Sequence, residues 1–166
     1  MHINFMIILV AALVPMILGF IWYNPKVFGT AWKTAAGTTE IKMKGGHSAL
    51  VFGLSFFLSL LLAFSLQFMV IHQWSIYSVL ANEPGITDPT SEVSMMIQDF
   101  MAKYGTNFRT FKHGALHGTI AGIMIALPIL GTNAMFEGKG FKYIAVNCGY
   151  WIVCLAVMGG IICAFT

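Results

Sequence analysis

Charged side chains are scarce in this chain. Asp, Glu, Lys and Arg make up 9% of its 166 residues, whereas 58% of the residues are hydrophobic. Soluble domains average about 25% charged residues. A small water-soluble core could not bury so much apolar surface, so most of the exterior must face an apolar medium. The composition therefore predicts an integral membrane protein.

The charges that are present show no strong excess of one sign. Nine basic and six acidic residues give a formal net charge of +3, without the concentrated basic face that nucleic-acid binding requires. The longest apolar runs contain no Asp, Glu, Lys or Arg, so the usual markers of proton relays and ion pathways are missing. We expect no nucleic-acid partner, and a proton-coupled transporter is disfavoured.

Motifs of catalysis are missing as well. The sequence has no G-x-S-x-G, Walker A, G-x-G-x-x-G or C-x-x-C motif. Its three cysteines, Cys148, Cys154 and Cys163, share one apolar stretch. On a helix they would lie roughly 9 Å or more apart, whereas bridged cysteines need Cα atoms within about 7 Å. We therefore expect no intrachain disulfide, no catalytic residue and no enzymatic activity.

Four long apolar runs are what the sequence offers instead. They cover residues 3–23, 49–71, 114–136 and 143–165, and each has about the 20 residues that a helix needs to cross a bilayer. The first run is too long for a signal peptide and lacks a basic segment before it. We predict an all-α integral membrane protein, with one four-helix transmembrane domain over residues 1–166 and the lipid bilayer as its surroundings.

The basic residues of the loops predict the orientation. The loops between spans one and two and between spans three and four hold six Lys and Arg, whereas the loop of residues 73–112 holds three. Because basic loops stay on the cytoplasmic side, the loop 73–112 and both termini are expected to face outward.

A short amphipathic helix is predicted inside this outward loop, in the segment "DPTSEVSMMIQDFMAKYG". Asp88 is a candidate N-cap, Pro89 suits the first helical position, and Gly105 would end the helix. Apolar residues recur at helical spacing on one face: Val93, Met96, Ile97, Phe100, Met101 and Tyr104. The helix would lie flat at the interface or, with so few basic residues, pack on the bundle.

An aromatic segment, "GFIWYNPKVFGTAWK", follows the first span at residues 19–33, and we call it the elbow. Trp22, Tyr23 and Trp32 combine apolar rings with one polar edge, which suits the membrane interface. Pro25 pushes the residue before it out of helical geometry and ends the span. We predict that these four residues anchor the chain at the interface.

The elbow also carries a family resemblance. Its pattern is similar to the G-x-x-W-Y-x-P-x-x-F-G-x-x-W signature of the membrane family called domain of unknown function 1761. The matching residues are Gly19, Trp22, Tyr23, Pro25, Phe28, Gly29 and Trp32. The segment "NAMFEGKGFKYIAVNCGYWIV" resembles the Asn…Phe-Glu loop and Asn-x-Gly-Tyr helix of the same family, whereas the loop 73–112 shows the least resemblance. The likeness implies a small multi-span bacterial protein and carries over no catalytic residue. Together with the loop charges, it predicts a multi-pass protein of the bacterial cytoplasmic (inner) membrane with periplasmic termini.

Histidines are the main chemical feature. His113 and His117 are four residues apart in "KHGALHGTIAG", so they share one helix side, a spacing that lets two imidazoles bind one metal ion. In the predicted topology His72 and His2 reach the same membrane face. His72, His113 and His117 are thus candidate ligands of a transition metal or a haem. The alternative is that these are ordinary interfacial histidines, because Gly114 stands where a zinc-protease motif has glutamate.

Glycines share this helix. Gly114, Gly118 and Gly122 form two overlapping small-xxx-small repeats, which allow close approach of helix backbones in lipid. They predict a packing face, either inside the protein or between copies of it.

We therefore predict a non-enzymatic accessory or packing subunit of a larger membrane complex, or a self-associating bundle, without a cofactor. Its partners would be other membrane protein subunits or copies of itself. The first alternative is a metal- or haem-binding redox protein that uses the three histidines. The second is a transporter of an uncharged or lipid-like solute.

Overall fold

A computed structural model describes residues 2–37 and 45–166 of the chain. These stretches form helices and turns and contain no strand, which confirms the all-α prediction. The helices are α1 (Phe5–Trp22), α2 (Thr30–Ala36), α3 (Gly45–Val70), α4 (Trp74–Val79), α5 (Glu92–Tyr104), α6 (Phe111–Ala121), α7 (Leu127–Phe136) and α8 (Phe141–Phe165). Lys42 and Lys44, which the orientation prediction counts, lie outside the described residues.

Four helical stretches in the described part of the chain are long and apolar enough to cross a membrane, as predicted. They are α1, the Ser48–Val70 part of α3, the stretch Phe111–Phe136 that joins α6 and α7, and α8. The third starts three residues earlier than the predicted 114, because the Thr110 side chain caps it by accepting a hydrogen bond from the His113 N–H. The other predicted span boundaries lie within about two residues of the observed ones, and the ends at 136 and 165 agree.

The third span contains a wide turn. Residues Gly122–Ala126 are π-helical, and the Leu127 N–H donates to the Gly122 carbonyl five residues back. Pro128 follows directly, and it has no N–H to offer the preceding turn. The wider hydrogen-bond spacing lets the helix continue through the proline, as π-bulges commonly do.

Helix α8 lies at the centre of the bundle. About 50% of the residues in its most apolar 18-residue segment are buried, against 17–28% in the corresponding segments of the other three spans. Its Met158 and Ile162 pack with Ile8 of α1 and Leu66 of α3, and each of these side chains is at most 1% exposed. The outer faces of the other spans carry large exposed apolar side chains, as expected of helices that face lipid.

Helix α5 occupies the segment where the amphipathic helix is predicted, but its start differs. Ser91, not Asp88, is the N-cap and accepts from the Ser94 N–H. The Asp88 carboxylate instead accepts from Thr90, and these bonds hold the pKa of Asp88 below its usual value. Ile97 is buried, whereas Met96 and Phe100 are more than a third exposed. The amphipathic packing of this helix on the bundle stays a prediction.

Candidate metal centre

Three histidines from two spans meet at one end of the bundle. His72 follows the last turn of α3, and His113 and His117 occupy the first two turns of α6. The Nε2 atom of His72 lies 3.1 Å from Nε2 of His113 and 3.2 Å from Nε2 of His117. One ring nitrogen of each histidine lies within 4.8 Å of the other two. The three side chains therefore converge on one small volume.

These distances suit a single metal ion. Two nitrogens bound to one tetrahedral zinc ion at about 2.0–2.1 Å lie about 3.3 Å apart, close to the two shorter separations. Without an ion, Nε2 of His72 can donate a proton to only one neighbour, since a ring nitrogen carries either a hydrogen or a lone pair. An ion would accept a lone pair from all three imidazoles. The arrangement is therefore compatible with coordination of one metal ion by all three imidazoles.

The same distances argue against haem. Two imidazoles on opposite sides of an iron would have nitrogens about 4 Å apart, since each bond is about 2 Å, with the macrocycle between them. The separations of 3.1 and 3.2 Å are shorter than this spacing. His2, which the sequence also brings to this face, lies outside the three-histidine group. The candidate site is thus a mononuclear one with three ligands.

The site is open on one side. His72 is exposed, whereas His113 and His117 are partly buried. The chain turns directly after α3, where the Ser75 N–H donates to the His72 carbonyl and starts α4. The His72 side chain therefore sits at a chain reversal, from which it reaches across to α6.

A short loop between α5 and α6 covers His113. The Phe108 ring stacks on the His113 imidazole, with ring centres 5.1 Å apart and planes tilted by 28°. Phe108 has φ of 62°, a left-handed conformation that is costly for a bulky residue. Its carbonyl accepts from the Thr110 N–H and from the Cys163 thiol. Arg109 donates to the Cys163 carbonyl, so the loop is fixed to the end of α8.

A second tether joins this loop to the residue after His72. Gln73 is 8% exposed, and its Nε2 donates to the carbonyls of Tyr104 at 3.1 Å and Asn107 at 2.8 Å. The α5–α6 loop is thus bonded both to α8 and to the chain beside the histidines. Sequence reasoning missed the roles of Gln73 and Phe108. The polar type of Gln73, directly after His72, was a weak signal for its role. Nothing in the sequence marks the left-handed φ of Phe108.

The three glycines of α6 lie against α8 within the chain. A Cβ at Gly114 would overlap the Gly159 backbone, and one at Gly118 would overlap the Leu155 carbonyl. A Cβ at Gly122 would lie 2.7 Å from the Ile152 Cα. Of the two predicted alternatives, packing inside the protein or between copies, the contacts correspond to the first. Sequence reasoning missed Gly159 as the partner glycine, although the Gly159–Gly160 pair is visible in the sequence.

The elbow residues lie at the opposite end of the bundle. The indole N–H of Trp22 donates to the Val146 carbonyl at 3.1 Å, and the Tyr23 hydroxyl donates to Oδ1 of Asn147 at 3.1 Å. The indole N–H and the hydroxyl group therefore both form hydrogen bonds to α8. Trp32 packs edge-on to Tyr23, with ring centres 5.5 Å apart. Anchoring at lipid headgroups stays a prediction.

Pro25 begins the one-turn π-helical segment Pro25–Gly29, which turns the chain out of α1 into α2. The Asn24 side chain caps this turn by accepting from the Lys26 N–H.

Fold and site together define a class: a multi-pass helical membrane protein that gathers three histidines at one end of its bundle. The family model described as "Protein of unknown function (DUF1761)" matches residues 6–163, so the chain belongs to this family. The match confirms the resemblance seen in the elbow and in α8. No curated protein and no solved structure matches the chain.

Proposed function

We propose that this chain is a metal-binding membrane protein that holds one first-row transition-metal ion through His72, His113 and His117. The observation that supports the proposal is the convergence of three imidazole nitrogens within 4.8 Å. Neutral imidazole suits zinc, copper, iron and nickel. Three protein ligands leave one position of a tetrahedral ion open, which is the pattern of sites that bind an exogenous molecule rather than of closed structural sites.

We place the protein in a bacterial cytoplasmic membrane, with the histidine end outward, on the basis of its loop charges and its family. The accessory-subunit and solute-transporter hypotheses stay predictions. The accessory-subunit hypothesis was motivated by the glycine face of α6, which was expected to pack on another protein. In the structure this face packs on α8 of the same chain. We therefore rank metal binding above both, and we expect no catalysis from the site alone.

Cobalt titration tests the proposal. The protein, carrying no polyhistidine tag, is stripped with a chelator in detergent and titrated with Co²⁺, whose visible absorption reports coordination geometry. We expect one ion per chain with intense, tetrahedral-type absorption. His72→Ala, His113→Ala and His117→Ala should each weaken binding roughly 100-fold, because loss of an outer-sphere partner alone costs 10–100-fold.

His2→Ala is the matched control, since His2 precedes α1 and lies outside the three-histidine group. It should leave cobalt affinity unchanged. Elemental analysis of the protein as purified gives the native metal. If cobalt bound weakly, or if the four variants lost affinity equally, the three histidines would not form a site and the proposal would be wrong.

A further inference from the structure

A cavity of about 440 Å³ adjoins the three histidines. It lies between the chain after α3 and the α5–α6 loop, and its volume is within the range of small-molecule sites, about 300–1,000 Å³. Its wall includes His72, Gln73, Phe100, Tyr104, Asn107 and Phe108.

Two residues connect the cavity to the metal centre. His72 belongs to both, and Phe108 lines the cavity while its ring stacks on His113. A molecule in the cavity would therefore lie beside the ion that the histidines hold. With three protein ligands on a tetrahedral ion, one position remains for it.

The wall determines which chemistry fits. It contains no Asp, Glu, Lys or Arg side chain, and three aromatic rings contribute to it: Phe100, Tyr104 and Phe108. A ligand body without formal charge, of about the size of an aromatic ring, matches these surfaces. Any negative charge on the ligand therefore belongs at its metal-binding head, beside the ion.

Gln73 adds a polar requirement. Its Nε2 uses its hydrogens on the carbonyls of Tyr104 and Asn107, which fixes the amide orientation. Its Oε1 has no donor among the residues that the structure describes. Because Gln73 is 8% exposed and lines the cavity, this oxygen is available to an N–H or O–H group of a ligand.

We infer that the cavity binds the body of an exogenous small molecule whose head ligates the metal. Its class is a neutral or singly anionic metal-binding head that carries an N–H or O–H donor, attached to an uncharged aromatic-sized body. This inference rests on the proposed metal site. It adds what the metal is for: the ion presents an open position to a small organic ligand at the membrane surface.

Paired hydroxamates test the inference on the cobalt-loaded protein. Acetohydroxamate and benzohydroxamate share one metal-binding head and differ in the aromatic body. Benzohydroxamate should shift the cobalt spectrum with an affinity about tenfold higher, since burial of a phenyl ring contributes at least the 1.4 kcal/mol that corresponds to tenfold. N-methylbenzohydroxamate, which lacks the N–H donor, should bind about fivefold more weakly than benzohydroxamate, as expected for one lost hydrogen bond.

Two matched variants locate the effect. Ser75 lines the cavity on α4, whereas Ser78 lies one turn further and does not. Ser75→Phe should fill the cavity and reduce the advantage of benzohydroxamate to less than about threefold, and Ser78→Phe should preserve it.

Equal affinities for the two unmethylated hydroxamates, or equal effects of the two phenylalanine variants, would overturn the inference while leaving the metal site intact. Failure of the wild-type protein to take up cobalt would instead overturn the proposed function and this inference with it.

Discussion

At the scale of single residues, α6 carries glycines that pack on α8 and histidines that converge with His72. Gly114 and Gly118 directly follow His113 and His117, so each of these candidate ligands is next to a residue without a side chain. The glycines allow the α6 backbone to touch α8, and this contact fixes the helix that carries two of the three imidazoles. Close packing of this kind replaces the hydrophobic effect, which gives little between helices in lipid.

Gly118→Ala should destabilise the protein by about 1–3 kcal/mol, the usual cost of overpacking. The new Cβ would meet the Leu155 carbonyl and the Ala156 Cα, and backbone atoms cannot move aside as a flexible side chain can. Gly53→Ala on α3 is the control, because no atom lies within 4 Å of its Cβ position. Unfolding in mixed detergent micelles, followed by circular dichroism, measures both. Equal midpoints for the two variants would show that α6 and α8 are not in close contact.

At the scale of secondary-structure elements, the sequence predicted what depends on run length and spacing. Four apolar runs gave four spans, and the i, i+4 spacing gave the His113–His117 pair. In the predicted topology the second span ends at the membrane face where the third begins, and this made His72 the third candidate ligand. Helix α4 and the π-helical turn at 122–126 were not predicted. The first depends on a backbone turn at His72, and the second precedes Pro128, which has no N–H to donate.

The inner details of the site were equally beyond the sequence. The separation of the histidine Nε2 atoms depends on side-chain rotamers, and these follow from packing. The left-handed φ of Phe108 goes with tertiary hydrogen bonds that join Phe108 and its neighbour Arg109 to Cys163, more than 50 residues away in the chain. The hydrogen bonds of Trp22 and Tyr23 to α8 likewise join residues that are 124 positions apart in the chain.

The contact between elbow and α8 is testable by a double-mutant cycle. Tyr23→Phe removes the hydroxyl that donates to Asn147, and Asn147→Ala removes the acceptor. Hydrogen bonds between membrane helices average about 0.6 kcal/mol in such cycles and reach about 1.7. We expect a coupling energy in this range, from unfolding of the two single variants and the double variant. Strictly additive effects would mean that this hydrogen bond contributes nothing to the fold.

At the scale of the whole molecule, α8 links the two ends of the bundle. Its first turns receive Trp22 and Tyr23, its middle packs on the glycines of α6, and its last turn accepts from Arg109 beside the histidines. The three histidines are therefore connected to the same helix that receives the elbow at the other end of the bundle. For the proposed metal site, the membrane face that the histidine end of the bundle occupies decides which metal pool the site would meet.

Cysteine labelling determines that orientation. Asn82 lies in the loop 73–112 and Glu137 lies between α7 and α8, and both are exposed. The three native cysteines are buried, so background labelling should be low. With six basic residues in the first and third loops against three in the second, we expect a membrane-impermeant maleimide to label Asn82→Cys in intact cells and Glu137→Cys only after permeabilisation. His72 would then bind metal from outside the cytoplasm. The reverse labelling pattern would place the histidines in the cytoplasm, where the centre would bind ions from the cytosolic pool, and the charge count of the loops would have failed to predict the topology.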